Sequence, residues 1–254
     1  MHDYPALRLD HILIHNGLGS PRSVQTLLRN HIIEVNGTRS TDGRVLVCVT
    51  KDIVKLDGEI LPLKNDVYLM LNKPADTVCT STSDSHKTVF DLIDEKYRNI
   101  TGLGKLHSVG RLDADTEGFV LLTTNGNFSH RLTSPETHVT KTYLVHLRDT
   151  IDEEQKALYT EKLAHGIDIP EEKKAHAFFS NPAVLEWIKE GKHCACKLTI
   201  TEGKFHQVKR MFAALGNEVF YLKRLAIGKL ALDTTLKCGE YRELTSEELK
   251  LLEL

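Results

Sequence analysis

The sequence predicts an α+β fold in two parts, and three observations carry that reading. Residues 1–64 hold two short helical patterns followed by β-like segments that end in turn signals. From residue 65 to 254 the pattern changes to strands interleaved with a few helices, without a repeat or a low-complexity tract. Across the 254 residues, 41% are apolar and 27% charged, so the chain can bury a core without staples. That usage excludes collagen-like, disordered and disulfide-scaffold classes.

The elements follow in order. Leu7, Leu9, Ile12 and Leu13 suit a helix running to Gly17, and Ser20 as N-cap with Pro21 at the first helical position opens a second carrying Val24, Leu27 and Leu28. Asn36-Gly37 and Asp57-Gly58 close two-residue turns after the alternating strands Ile32–Val35 and Ile53–Leu56. Leu61–Asp66 reads as a linker, because Pro62 discourages a continued ladder. Tyr68–Leu71 forms a strand ending at Asn72-Lys73-Pro74, and Phe119–Thr123, Thr142–Leu147 and Cys196–Thr201 form others. Helices span Asp152–His165, closed by Gly166, and Phe205–Leu215, closed by Gly216-Asn217. Thr245-Ser246-Glu247-Glu248 has capping-box spacing ahead of Leu249, Leu251 and Leu252.

The net charge of −2 hides a segregation. Residues 197–229 carry seven Lys and Arg against Glu202 and Glu218, whereas residues 149–175 carry eight acids against four lysines. Such separation is the footprint of one basic face, the kind that binds nucleic acid. Cys48, Cys79, Cys194, Cys196 and Cys238 form no CxxC pair, and with no signal peptide the expected compartment is the reducing cytoplasm. The apolar runs are strand-length, well short of the roughly 20 residues of a membrane helix.

Familiar catalytic signatures are absent, apart from Gly102-Leu103-Gly104-Lys105 as a weak echo of a phosphate loop. His193, Cys194 and Cys196 lack the second pair that a zinc site needs, so no metal is expected there. The sharpest segment is Gly110-Arg111-Leu112-Asp113-Ala114-Asp115-Thr116-Glu117-Gly118. Its acids imitate the start of an EF-hand loop from Asp113, but Thr124 stands where the bidentate Glu belongs and a strand follows instead of a helix.

Two resemblances account for these motifs. Arg8-Leu9-Asp10, Gly19-Ser20-Pro21-Arg22, Leu27-Leu28 and Val35-Asn36-Gly37 resemble the small RNA-binding domain named after ribosomal small-subunit protein four. That resemblance makes Arg8, Arg22 and Arg29 candidate phosphate contacts. Met70 to Pro74, Gly110 to Gly118, Thr133-Ser134-Pro135, Lys141 to Val145 and Glu202 to Phe212 together resemble the pseudouridine synthases, in the RsuA-type branch that acts on 16S ribosomal RNA. The blocks span nearly the whole chain in the family's order.

The family resemblance implies a mainly antiparallel mixed sheet with flanking helices, and isomerisation of a uridine to pseudouridine without a cofactor. It puts the essential aspartate at Asp113, a nucleophilic carboxylate that forms a transient covalent adduct or assists elimination. A buried carboxylate needs a cation to stay ionised, and the matching basic position is Lys209, with Arg210 as the alternative. Tyr143 matches the tyrosine that lies against the target uracil, and Arg111 the residue that fills the stack when the nucleotide is flipped out. Lys73, Lys204, His206 and Gln207 are further RNA-contact candidates. The expected partner is small-subunit ribosomal RNA or its assembly intermediate, with monomer as the default state. A large-subunit enzyme of the same family, or a silent RNA-binding assembly protein, are the alternatives.

Overall fold

The computed structural model describes residues 6–64, 66–98, 104–172, 175–190 and 193–252. Gly102 and Leu103, half of the phosphate-loop echo, lie outside the described residues. The chain divides into two compact units, Met1–Tyr68 with Ile93–His107 and Leu122–Gly126, and Leu69–Leu92 with Ser108–Leu121 and Asn127–Leu254.

In the first unit, helix α1 (Leu9–His15) and helix α2 (Pro21–Asn30) precede the strands β1 (Ile33–Val35), β2 (Thr38–Arg39), β3 (Val54–Leu56) and β4 (Glu59–Ile60). These form an antiparallel sheet in the order β2-β1-β3-β4. Ser20 caps α2, its hydroxyl accepting from the Ser23 N–H at 3.2 Å. Asn36 and Gly37 (φ 51° and 80°) and Asp57 and Gly58 (49° and 90°) take the left-handed conformations that match tight hairpins to strand twist. The apolar positions of both helices meet Ile33, Val47 and Val54 in one core.

His15, in the last turn of α1, is buried, and neither ring nitrogen has a hydrogen-bond partner among the described residues. Burial lowers its pKa and the charge of Asp66 only partly offsets that. Below pH about 6.5 the unfolded chain therefore takes up a proton that the folded chain refuses, and stability falls with pH. His15→Leu is expected to flatten that decline between pH 7 and pH 5, read as amide-exchange protection in α1. Parallel declines in wild type and variant would contradict the assignment.

The second unit centres on a nine-stranded sheet. Its main path runs through β5 (Tyr68–Lys73), β6 (Glu117–Thr123), β7 (Lys141–Leu147), β8 (Val184–Glu190), β9 (His193–Ile200), β10 (Val219–Ile227) and β11 (Tyr241–Glu243), in the order β8-β9-β7-β10-β6-β5-β11. The β6–β10 pair is parallel, while β8–β9, β9–β7, β7–β10 and β5–β11 are antiparallel. Helix α3 (Gly126–Thr133) follows β6, and α4 (Glu153–His165), α5 (Gln207–Ala214) and α6 (Ser246–Leu251) flank the later strands. Both expected capping boxes are present, Asp152 with Gln155 on α4 and Thr245 with Glu248 on α6.

Three differences from the sequence reading have physical causes. β6 begins at Glu117 because Glu117 and Gly118 already pair with Lys223 and Arg224 of β10. Any Cβ on Gly118 would sit 2.3 Å from the Arg224 carbonyl oxygen, so only glycine allows that approach. α5 begins at Gln207 because His206 is left-handed (φ 47°). β8 and β10 are additional; in β10 the buried Arg224 interrupts the polar–apolar alternation. None of the five cysteines forms a disulfide, and burial pushes the Cys196 thiol up to about 12, fitting a core position. No described helix is long and apolar enough to cross a membrane.

Candidate active site

The Gly110–Gly118 block forms the loop that enters β6. The Asp113 carbonyl accepts from the Thr116 N–H at 3.1 Å, closing a turn that presents Asp113 and Asp115 outward. Lys73, at the end of β5, is fully buried beneath it. Its ammonium donates to the carbonyls of Pro74, Ala114 and Thr116 at 2.9, 3.0 and 2.8 Å. Burial pushes its pKa down, opposed by the nearby Cys79, Asp115, Asp113 and Glu117. The Leu112 N–H donates to the Cys79 Sγ, and the Tyr221 hydroxyl to Glu117 at 2.9 Å. The loop is thus pinned from below at both ends.

α5 supplies the cations. Lys209 Nζ lies 2.6 Å from each Asp115 carboxylate oxygen and 3.7 Å from Asp113 Oδ2. Burial alone would raise the Asp115 carboxyl, but the hydrogen bond and charge of Lys209 hold it below the usual carboxylate range. Lys209 is therefore hydrogen-bonded to Asp115 and only an ion-pair neighbour of Asp113, a finer arrangement than a single Asp113–Lys209 pair. His206 Nε2 stands 3.6 Å from Asp113 Oδ1, its ring stacked on Phe205 at 3.8 Å between centroids. Asp113 keeps 26% of its side chain exposed, enough for a reactant to reach it.

Asp113 and the buried Tyr143 line one cavity of about 70 Å³, together with Arg111, Lys204, His206 and Gln207. A neighbouring cavity of about 200 Å³ shares Arg111, Tyr143 and Lys204 with it. Arg111 is exposed. Arg22 and Arg29 are exposed on α2 of the first unit.

Two of the candidate RNA contacts, Lys73 and Arg210, are corrected by their burial. Lys73 faces carbonyls, not solvent. Arg210 is 3% exposed and donates to the carbonyls of Pro170 and His176 at 2.7 and 2.9 Å, with Phe178 beside its guanidinium. Pro170, His176 and Phe178 lie against the Arg210 guanidinium and cover it, whereas Lys209 stays partly exposed. Gln207 is buried, with its amide donating to Glu202 at 2.6 Å and accepting from the Lys204 N–H at 2.9 Å; it shapes the cavity wall. Arg8 is exposed but held by Asp10 through two hydrogen bonds of 3.0 and 2.7 Å. Lys204 remains partly exposed, 3.2 Å from Glu202 and 3.8 Å over the Phe178 ring. Sequence reasoning missed Lys141 and Arg224 in the larger cavity. Lys141 was legible, since it stands two residues before Tyr143 on the same strand face; nothing local marks Arg224.

A mixed sheet carrying an acidic loop, a tyrosine beneath it and basic residues around it defines an enzyme acting on a polyanion. The sequence profile of the RNA pseudouridylate synthases matches residues 67–214, more than half of the chain. Over 247 residues the chain is 40% identical to a ribosomal small subunit pseudouridine synthase A of Haemophilus influenzae, covering 97% of this chain and 99% of that one. It is also 40% identical to an uncharacterized RNA pseudouridine synthase of Bacillus subtilis, YtzG, over 97% and 98% of the two chains. A solved pseudouridylate synthase, 39% identical, superposes with a TM-score of 0.64 over 97% of this chain and all of the other. The chain belongs to the RNA pseudouridine synthase family. It is an isomerase that converts uridine in RNA to pseudouridine.

Proposed function

We propose that this chain isomerises one uridine of small-subunit ribosomal RNA, with residues 1–64 serving as an RNA-binding domain and residues 65–254 carrying the chemistry. The substrate assignment rests on the roughly 40% identity, over nearly all of both chains, to enzymes named for the small ribosomal subunit. In this reading the protein acts in the cytoplasm as a monomer, on free ribosomal RNA or an assembly intermediate.

Detaching a base, turning it and rejoining it through carbon five requires a carboxylate at the ribose or ring and an acceptor for the carbon-five proton. Asp113 is the carboxylate. Lys209 places its ammonium 3.7 Å from that carboxylate while bound more tightly to Asp115. Tyr143, on the wall of the same cavity, lies against the uracil and takes the proton. Arg111, exposed at the mouth, fills the gap left in the stack, and phosphate contacts offset an extrusion that costs a few kcal/mol.

The test is tritium release from ribosomal RNA labelled at carbon five of uracil. Release from small-subunit RNA is expected. Release from large-subunit RNA alone would overturn the substrate. Silence on naked RNA and on partly assembled subunits would favour an RNA-binding assembly protein instead.

A further inference from the structure

The larger cavity beside Asp113 contains charge that the chemistry above does not use. Lys141 and Arg224 both line it. Arg224 is 4% exposed; its Nε donates to the Phe119 carbonyl at 2.7 Å, but its buried Nη2 has no partner among the described residues. An unpaired buried guanidinium nitrogen is costly, and such positions call for an acceptor that arrives from outside. Lys141 is half-buried, and burial, reinforced by the repulsion of Arg224, pushes its ammonium down.

The carboxylate in the wall, Glu202, does not balance these cations. Its oxygens already serve the Asn181 N–H at 2.9 Å, the Gln207 amide at 2.6 Å and the Lys204 ammonium at 3.2 Å. The remaining wall includes Val109, Leu132 and Ile227, whose low polarity strengthens any charge interaction within. The backbone register explains the placement. Tyr143 pairs with Arg224 across β7 and β10 because the register skips Leu225 of β10 after the Thr142–Ala226 pair, and alternation along β7 puts Lys141 on the same face as Tyr143. A desolvated pair of cations therefore adjoins the tyrosine that faces the reacting base.

We propose that the Lys141–Arg224 cavity is a phosphate subsite, holding a backbone phosphodiester next to the target nucleotide while the base and ribose enter the smaller cavity at Asp113. This rests on the reading that Asp113 and Tyr143 receive the target nucleotide. A phosphate supplies what the site lacks, since its oxygens accept from the orphaned Nη2 and balance Lys141 without a proton change. The two cavities meet at Arg111 and Tyr143, so a single nucleotide and its adjoining phosphate span them.

The experiment measures binding of small-subunit RNA across a salt series for wild type, Lys141→Gln and Lys141→Arg, with tritium release in parallel. Lys141→Gln is expected to weaken binding about tenfold and to lower the slope of log affinity against log salt by about 0.7–0.9. Lys141→Arg is expected to restore most of both. A neutral methylphosphonate at one linkage adjoining the target is expected to weaken the wild type about tenfold and to cost Lys141→Gln nothing further. An unchanged salt slope in a folded Lys141→Gln protein, or equal methylphosphonate losses in both proteins, would overturn the subsite. Should Lys141→Gln fail to fold, the methylphosphonate scan on wild type and Lys141→Arg still decides, because no sensitive linkage next to the target leaves no subsite. Failure of the wild type to release tritium is the separate outcome that removes the underlying reading.

Discussion

Asp113→Asn is expected to reduce tritium release by about 10⁴-fold or more while RNA affinity stays within a few-fold of wild type. The amide keeps the shape of the carboxylate and loses its nucleophilicity. It also removes the charge that Lys209 faces at 3.7 Å, without breaking the Lys209–Asp115 hydrogen bonds of 2.6 Å, so the loop and α5 remain tied. Asp115→Asn is the informative contrast. It weakens the tie and frees Lys209 toward Asp113, and measurable turnover is expected to survive. If Asp113→Asn turns over like wild type, the nucleophile assignment fails. If Asp115→Asn is silent and Asp113→Asn active, the roles of the two carboxylates are exchanged.

Lys73→Met is expected to lower both stability and turnover without touching the reacting atoms. Its ammonium satisfies three carbonyls from inside the fold, two of them in the turn that carries Asp113. Removing it takes that donor from the Ala114 and Thr116 carbonyls, while the Pro74 carbonyl keeps the Thr77 hydroxyl at 2.8 Å; the loss is about 2–4 kcal/mol in stability. Where the protein still folds, the relaxed turn displaces Asp113, and a shift near 1 Å costs about 10²-fold in turnover. Chemical denaturation and single-turnover rates measure the two parts. A stable, fully active Lys73→Met protein would show that the loop holds its shape without the buried cation.

The two predictions differ in how readable they were. Asp113 stands in a contiguous block whose glycines, acids and following apolar strand already mark a shaped loop. The hairpins at Asn36-Gly37 and Asp57-Gly58 and the caps at Ser20, Asp152 and Thr245 are legible for the same reason, because each depends on residues within a few positions of one another. Lys73 and Arg210 were misread because charge alone suggests solvent and phosphate. Their burial depends on carbonyls of the Gly110–Gly118 loop and of the Asp168–Phe179 segment, both distant in sequence.

The sequence by itself determined the α+β class, the order of the main elements and the block that contains Asp113. Tertiary structure decided which cations reach that block. Lys209 meets Asp115 across 94 positions of chain, and Arg224 meets Gly118 only because β6 and β10 lie parallel. Local periodicity reports which face of an element is apolar. A polar side chain's partners are set by whatever backbone the fold brings within hydrogen-bond reach, and a buried cation must find them there.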